Sequence, residues 1–327
     1  DKKSLPAMLP FCAAMAGAGF AFVGWVPAYV LLMCTVVIIG MASATYHPQA
    51  SKTVNFLSSD NNKAANMGIF SLGGNAGMAV GSILMAFLLT LPGGLHNTMY
   101  FVLPGLLVFG LMMKYMPEYK RVNLEHNLKV QAAKKSGAVQ KIPYGGLALV
   151  LFFIFMRSTI HTGLSTYLPL FFINFRNAEP AFASMLVSCF LLGGVAGTYV
   201  GAVLSDRLGA RRIIFGSVLC SIPAIWLIAN VTHPAAVLPA VVLAGFSIIG
   251  SFATTTILAQ TMLPNNVGMA AGLTIGFSVG MGGFGVTILG FLADNYGLPF
   301  VMNLMTVLPV IATLTAFKIP VPPQMQK

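Results

Sequence analysis

One arginine in this sequence stands where a cation is costly. Arg157 lies about 13 residues into an apolar run over 144–174, roughly 20 Å along a helix at 1.5 Å per residue. A charge that deep in hydrocarbon costs several kcal/mol and ordinarily faces a polar cavity. His161 follows four residues later and so shares the same helical face. The pair presents a fixed cation and a titratable imidazole. In one reading it binds an anionic group, with His161 as a proton carrier. In the other, Arg157 bonds backbone carbonyls and His161 is merely hydrogen-bonded. Glu179, Asp206 and Asp294 all sit near the ends of apolar runs, so no carboxylate stands opposite Arg157. Its counter-charge is then a solute or a group elsewhere in the protein.

Other polar residues are weighed the same way. His47 precedes Pro48, which disfavours helix at His47. His47 is read as a gate or proton site near the cytoplasmic mouth, or as a helix terminus with a capping imidazole, and Tyr46 beside it as a candidate solute-binding residue. Asn75 sits among Gly73, Gly74 and Gly77. It lines a cavity or makes an interhelical hydrogen bond, and Gln260 is similar. Gly201, Asp206, Arg207, Gly209, Arg211 and Arg212 form a charged turn, with Asp294 in a second copy. These residues are expected to lock helix ends in one conformational state rather than to touch a solute.

The elements that must position these residues are membrane helices. Of 327 residues 57% are hydrophobic and 8% charged, whereas soluble domains carry about 25% charged residues. So few charges cannot cover a water-facing surface, and a bilayer needs no polar exterior. A crossing helix needs about 20 apolar residues. Ten runs qualify: 6–24, 28–46, 64–90, 98–116, 144–174, 180–204, 212–231, 234–260, 267–293 and 297–319. The run over 144–174 is long enough to be tilted or broken. With the N-terminus cytoplasmic, the only Lys or Arg outside the cytoplasmic segments are Arg157, within a span, and Arg176. That is the bias expected of cytoplasmic loops, and it puts both chain ends inside. The basic stretch 117–141 is a cytoplasmic, partly helical linker. It separates four spans in 1–116 from six in 142–327. The net charge of +11 forms no basic stripe with interleaved aromatics, which argues against nucleic acid. Cys12, Cys34, Cys189 and Cys220 lie in apolar runs without CxxC spacing and are expected to be buried, inert thiols. No metal site is expected. Trp25 and Tyr296 suit the interfacial aromatic belt.

Internal repeats support this layout. Leu-small-Asp-x-x-Gly occurs at Asp206–Gly209 and again at Asp294–Gly297. The copies lie three spans apart on opposite faces, as in an inverted three-helix repeat. Gly74, Gly77 and Val80 recur six spans later as Gly280, Gly283 and Val286, and the stretch from Gly40 is echoed from Gly250. Two helices before Asp1 would complete six plus six. Asp206-Arg207-x-Gly209-x-Arg211-Arg212 resembles the cytoplasmic motif of the major facilitator superfamily, and Asp1-Lys2-Lys3 resembles the tail of its partner motif. The family's glycine four before the Asp is displaced: position 202 is Ala, and Gly201 stands one earlier. A narrower resemblance is to the fosmidomycin-resistance efflux branch. It rests on Tyr46-His47-Pro48, Gly73-Gly74-Asn75, Arg157-Ser158, Tyr167-Leu-Pro169 and the segment from Leu258 through Gln260 and Pro264 to Gly268.

These resemblances imply an all-α polytopic membrane protein of the major facilitator fold, with two helical bundles and ten of twelve helices in this chain. They imply proton-driven export of a small anionic or amphiphilic compound, such as a phosphonate antibiotic, by alternating access. The runner-up is uptake of a small anionic metabolite. An integral-membrane enzyme would need clustered His, Asp or Ser at a membrane face, and no such cluster is visible. A pump would need a phosphate-binding Gly-x-x-x-x-Gly-Lys-Ser/Thr loop, which is absent from the sequence. The expected partners are a small-molecule solute, protons and the bilayer of a plasma membrane. The expected state is a monomer without a cofactor.

Overall fold

The computed structural model describes residues 7–59, 61–135 and 144–326, which are almost wholly helical, with no strand among them. Asp1-Lys2-Lys3 and the linker residues 136–141 lie outside the described residues. In chain order the helices are α1 (Met8–Val23), α2 (Tyr29–Leu57), α3 (Lys63–Thr90), α4 (Val102–Lys114, preceded by the 3₁₀ segment Gly94–Phe101), α5 (Met116–Lys135), α6 (Tyr144–Asn174), α7 (Pro180–Leu208), α8 (Ala210–Asn230), α9 (Pro234–Gly250), α10 (Phe252–Met262), α11 (Val267–Ala271), α12 (Phe277–Tyr296) and α13 (Leu298–Lys318). A π-helical turn, Gly272–Gly276, joins α11 to α12.

Eight helical segments among the described residues are long and apolar enough to cross a membrane: Tyr29–Leu57, Gly94–Lys114, Tyr144–Asn174, Pro180–Leu208, Ala210–Asn230, Pro234–Met262, Pro264–Tyr296 and Leu298–Lys318. Two of the ten expected runs are not among the eight. α1 is apolar but has 16 residues, about 24 Å of helix against a hydrocarbon core of about 30 Å. α3 is 28 residues long and only partly described.

Three expectations about local structure are corrected. The run over 144–174 is one unbroken α-helix with Pro169 inside it. The breaks fall elsewhere, at Ser251 between α9 and α10 and at the π-turn before α12. α2 does not stop at His47 but continues past Pro48 to Leu57. Its last turns bury Ala50, Ser51 and Lys52, and Pro48 packs toward Gly272. Packing of this kind outweighs one lost backbone bond, and membrane helices tolerate proline for that reason. The four cysteines are free, but only Cys12 is buried, while Cys34 and Cys220 are exposed. A thiol is apolar enough to face lipid.

The chain divides into two compact units. One comprises Asp1–Ser58, Gly73–Lys141 and Asn265–Gly272, and the other Ser59–Leu72, Ile142–Pro264 and Leu273–Lys327. In the first unit α1 crosses the α4 segment closely: a Cβ on Gly17 would lie 2.7 Å from the Gly105 Cα. Thr98 there donates to the Ala21 carbonyl at 3.0 Å and accepts from the Gly24 N–H at 3.1 Å. The second unit has a core built from α6, α7, α8, α9 and α13, with Leu164, Phe171, Phe190, Ile225, Val241 and Met305 fully buried. Its closest contact is α7 on α9. A Cβ on Gly193, Gly197 or Gly201 would strike the carbonyl of Val242, Phe246 or Gly250 respectively. Without a hydrophobic drive between helices in lipid, such small-residue approach supplies the van der Waals contact that holds them.

Candidate functional site

The polar cluster of the second unit is built around Arg157. α6 carries it near its middle, and only 5% of its surface is exposed. The guanidinium lies over the Phe252 ring, with the carbon 5.0 Å from the ring centroid. Its Nη2 donates to Ser278 Oγ at 3.4 Å, and Nε is buried without a partner. Ser158 Oγ and Ser278 Oγ are 2.5 Å apart. Among the described residues no carboxylate pairs with Arg157. Its two partners ride on the two irregular helices: Phe252 is the first residue after the Ser251 break, and Ser278 is the second after the π-turn. Helix irregularities of this kind concentrate at functional sites. They leave room and unpaired polar groups, and Ser251 and Thr254 also have buried hydroxyls without partners.

His161 shares α6 with Arg157, and its ring stacks on Phe190 at 5.6 Å. Gln260 is fully buried. It sits eight residues beyond Phe252 on α10, about 12 Å along the axis. Tyr46, His47 and Asn75 belong to the other unit. The Tyr46 and His47 rings meet edge to face at 5.8 Å. Asn75 is half-buried, and a Cβ on Gly73, Gly74 or Gly77 beside it would meet nothing within 4 Å.

The charged turn after α7 is a helix-end device. Asp206 accepts the Ala64 N–H at 3.2 Å and the Ala65 N–H at 2.7 Å, both from the first turn of α3. Those are donors an α-helix leaves unpaired at its start. Arg211 Nη2 donates to the Phe317 carbonyl at 2.6 Å, one of the last in α13, and its guanidinium lies over the Phe317 ring at 5.4 Å. Arg212 reaches the Leu208 carbonyl at 3.3 Å, and Arg207 is exposed. Gly209 joins α7 to α8 at φ 92 and ψ 148, and Gly297 joins α12 to α13 at φ 84 and ψ 162. The two repeat copies therefore adopt one backbone shape, in a region that favours glycine. Asp294 is exposed. The displaced motif glycine also finds its counterpart. Ala202 is fully buried, and the residue facing it on α3 is Gly68, whose Cβ would fall 2.7 Å from that of Ala202.

Sequence reasoning missed Phe252 and Ser278. Nothing in their spacing ties them to Arg157, which is 95 and 121 positions away. It also missed what Arg176 does: its Nη2 donates to the Ala229 carbonyl near the end of α8 at 2.8 Å, and it lines a cavity of about 360 Å³ with Phe172, Glu179, Phe182 and Thr232. A lone arginine in a short connection between two apolar runs was a signal for it.

Apolar crossing helices, a buried unpaired cation and repeated helix-end turns define a polytopic membrane transporter. A family model, the Major Facilitator Superfamily, matches residues 2–282 and again 147–327, and the chain belongs to that family. It is 28% identical over 324 residues to an uncharacterized MFS-type transporter, YfnC, of Bacillus subtilis (strain 168), covering 98% of this chain and 78% of the relative. It is 26% identical over 322 residues to the fosmidomycin resistance protein of Escherichia coli (strain K12), covering 97% and 77% respectively. Among solved structures, the E. coli fucose:proton symporter FucP superposes with a TM-score of 0.73 at 12% identity, over 97% of this chain and 83% of that one. The human organic anion transporter MFSD10 gives 0.73 at 12% identity, over 94% and 76%. At that identity the likeness is one of fold.

Proposed function

We propose that this chain is a proton-coupled exporter of small anionic or amphiphilic compounds, working by alternating access, and that Arg157 binds the anionic group of its solute. The observation that carries this reading is Arg157 itself. It is buried at mid-helix with no carboxylate beside it among the described residues, and its Nε has no partner. A cation held there is stabilised when an anion arrives. His161, four residues along α6, is the proposed proton carrier. The relative that resists fosmidomycin supports export and suggests the first solute to try. Ten crossings are proposed, the eight candidate segments plus α1 and α3, with both ends cytoplasmic in a plasma membrane. Residues 1–116 and 142–327 are the proposed bundles, the stretch 117–141 is the linker, and the working unit is a monomer. Tyr46, His47, Asn75 and Gln260 are proposed to line the solute path. The Asp206, Arg211 and Arg212 group is proposed to fix one conformational state.

Inverted membrane vesicles containing the full-length protein test this. They are expected to accumulate fosmidomycin when respiration makes the lumen acidic, and a protonophore is expected to abolish the uptake. Arg157→Ala is expected to lower uptake at least tenfold at equal protein abundance. Protonophore-insensitive uptake would remove the coupling, and wild-type uptake by Arg157→Ala would remove the anion site.

A further inference from the structure

Arg157 does not stand alone, and the hydroxyls beside it are in deficit of an acceptor. Ser158 and Ser278 share one short contact of 2.5 Å. Each hydroxyl brings one proton. One proton bridges the pair, and the other points away from it. Ser278 Oγ also accepts from Arg157 Nη2 at 3.4 Å, longer than a strong N–H···O bond. The Nε–H of Arg157 is buried with nothing to donate to. Two donors, one hydroxyl and one guanidinium, therefore lack an acceptor within a few ångströms of each other. A buried donor left unpaired is costly, and an oxyanion would relieve both at once.

The surroundings give this deficit a direction. Arg157 and Ser158 are each 5% exposed, whereas Ser278 is only half-buried. Phe252 covers one face of the guanidinium. Gly282, one turn beyond Ser278 on α12, lets that helix approach α6 at Ser158 and Thr162. The open side of the cluster is therefore the Ser278 side. Ser278 also stands two residues after the Gly272–Gly276 π-turn, so a ligand there bonds to the helix beside its irregular point.

We propose that Ser278 is a specificity-determining residue of the Arg157 site. Its hydroxyl, paired with Ser158, completes a receptor for an oxyanion with at least two acceptor oxygens. One oxygen takes the guanidinium and another the free hydroxyl proton. The inference rests on the Arg157 reading above and adds a residue to it.

The test is concentration-dependent fosmidomycin uptake into inverted vesicles, together with thermal unfolding of the purified full-length protein in methylphosphonate. Ser278→Ala is expected to raise KM about tenfold with maximal rate within twofold of wild type. Ser278→Thr, which keeps the hydroxyl, is expected to restore KM. Methylphosphonate is expected to raise the unfolding midpoint of wild type and Ser278→Thr but not that of Ser278→Ala. A wild-type KM and wild-type stabilisation in Ser278→Ala, while Arg157→Ala loses both, would overturn this inference and leave the Arg157 site standing. Loss of neither in Arg157→Ala, or a wild type that neither transports fosmidomycin nor responds to methylphosphonate, would overturn both. Should Ser278→Ala not reach the membrane, Ser278→Val at the same readouts takes its place, and failure of Ser278→Thr to restore binding counts against the proposal.

Discussion

Replacing Asp206 by Ala would remove two acceptors from the start of α3. One oxygen holds the Ala64 N–H at 3.2 Å and the other the Ala65 N–H at 2.7 Å. The shorter bond has the length of a charge-assisted one. Hydrogen bonds to charged groups contribute about 1.5–3 kcal/mol net and neutral ones about 0.5–1.5. The longer bond is weak and Asp206 is only half-buried, so the low end applies and the pair together is worth about 2 kcal/mol. A helix start also favours negative charge, which works in the same direction. If the first turn of α3 opens locally, 2 kcal/mol corresponds to roughly 30-fold more frequent opening. Hydrogen exchange of the full-length protein in lipid nanodiscs reads that directly from peptides covering 63–70. Asp206→Ala is expected to exchange about 30-fold faster there, with α6 and α9 unchanged. Asp206→Asn keeps one acceptor oxygen and loses the charge, so it is expected to fall between. Wild-type protection of α3 in Asp206→Ala would refute the idea that this carboxylate holds the helix start.

Two other expectations follow from the packing and the topology. Gly68→Ala brings a methyl against Ala202 at 2.7 Å and is expected to cost about 1–3 kcal/mol as overpacking. Ala202→Gly in the same chain is expected to recover most of it, since contacting sites couple; additive losses in thermal unfolding would contradict the pairing. With Cys34 and Cys220 first replaced, a cysteine at position 211 is expected to react with an impermeant maleimide only in inverted vesicles. A cysteine at position 176 is expected to react only in right-side-out ones, and labelling of 211 from outside would overturn the assignment of sides.

Much of the helical layout was legible in the residues alone. Apolar length marks a crossing segment whatever packs against it, because that effect comes from lipid as solvent. The Leu-small-Asp-x-x-Gly repeat was legible for the same local reason: Gly209 and Gly297 take φ 92 and φ 84 at their helix junctions, a conformation other residues resist. Arg157 could be singled out because a charge in an apolar run is anomalous without reference to any partner.

What surrounds Arg157 was decided only by the tertiary structure. Phe252 and Ser278 reach it from two other helices, and no spacing in the chain records which faces meet. Pro48 breaks the local rule for helix and is overruled, since burial of Ala50–Lys52 favours continuing α2. Ala202 breaks the family's motif and is accommodated by Gly68, a compensation visible only once α3 and α7 are in contact. Propensity, length and charge act along the chain, whereas packing and the pairing of buried polar groups act across it.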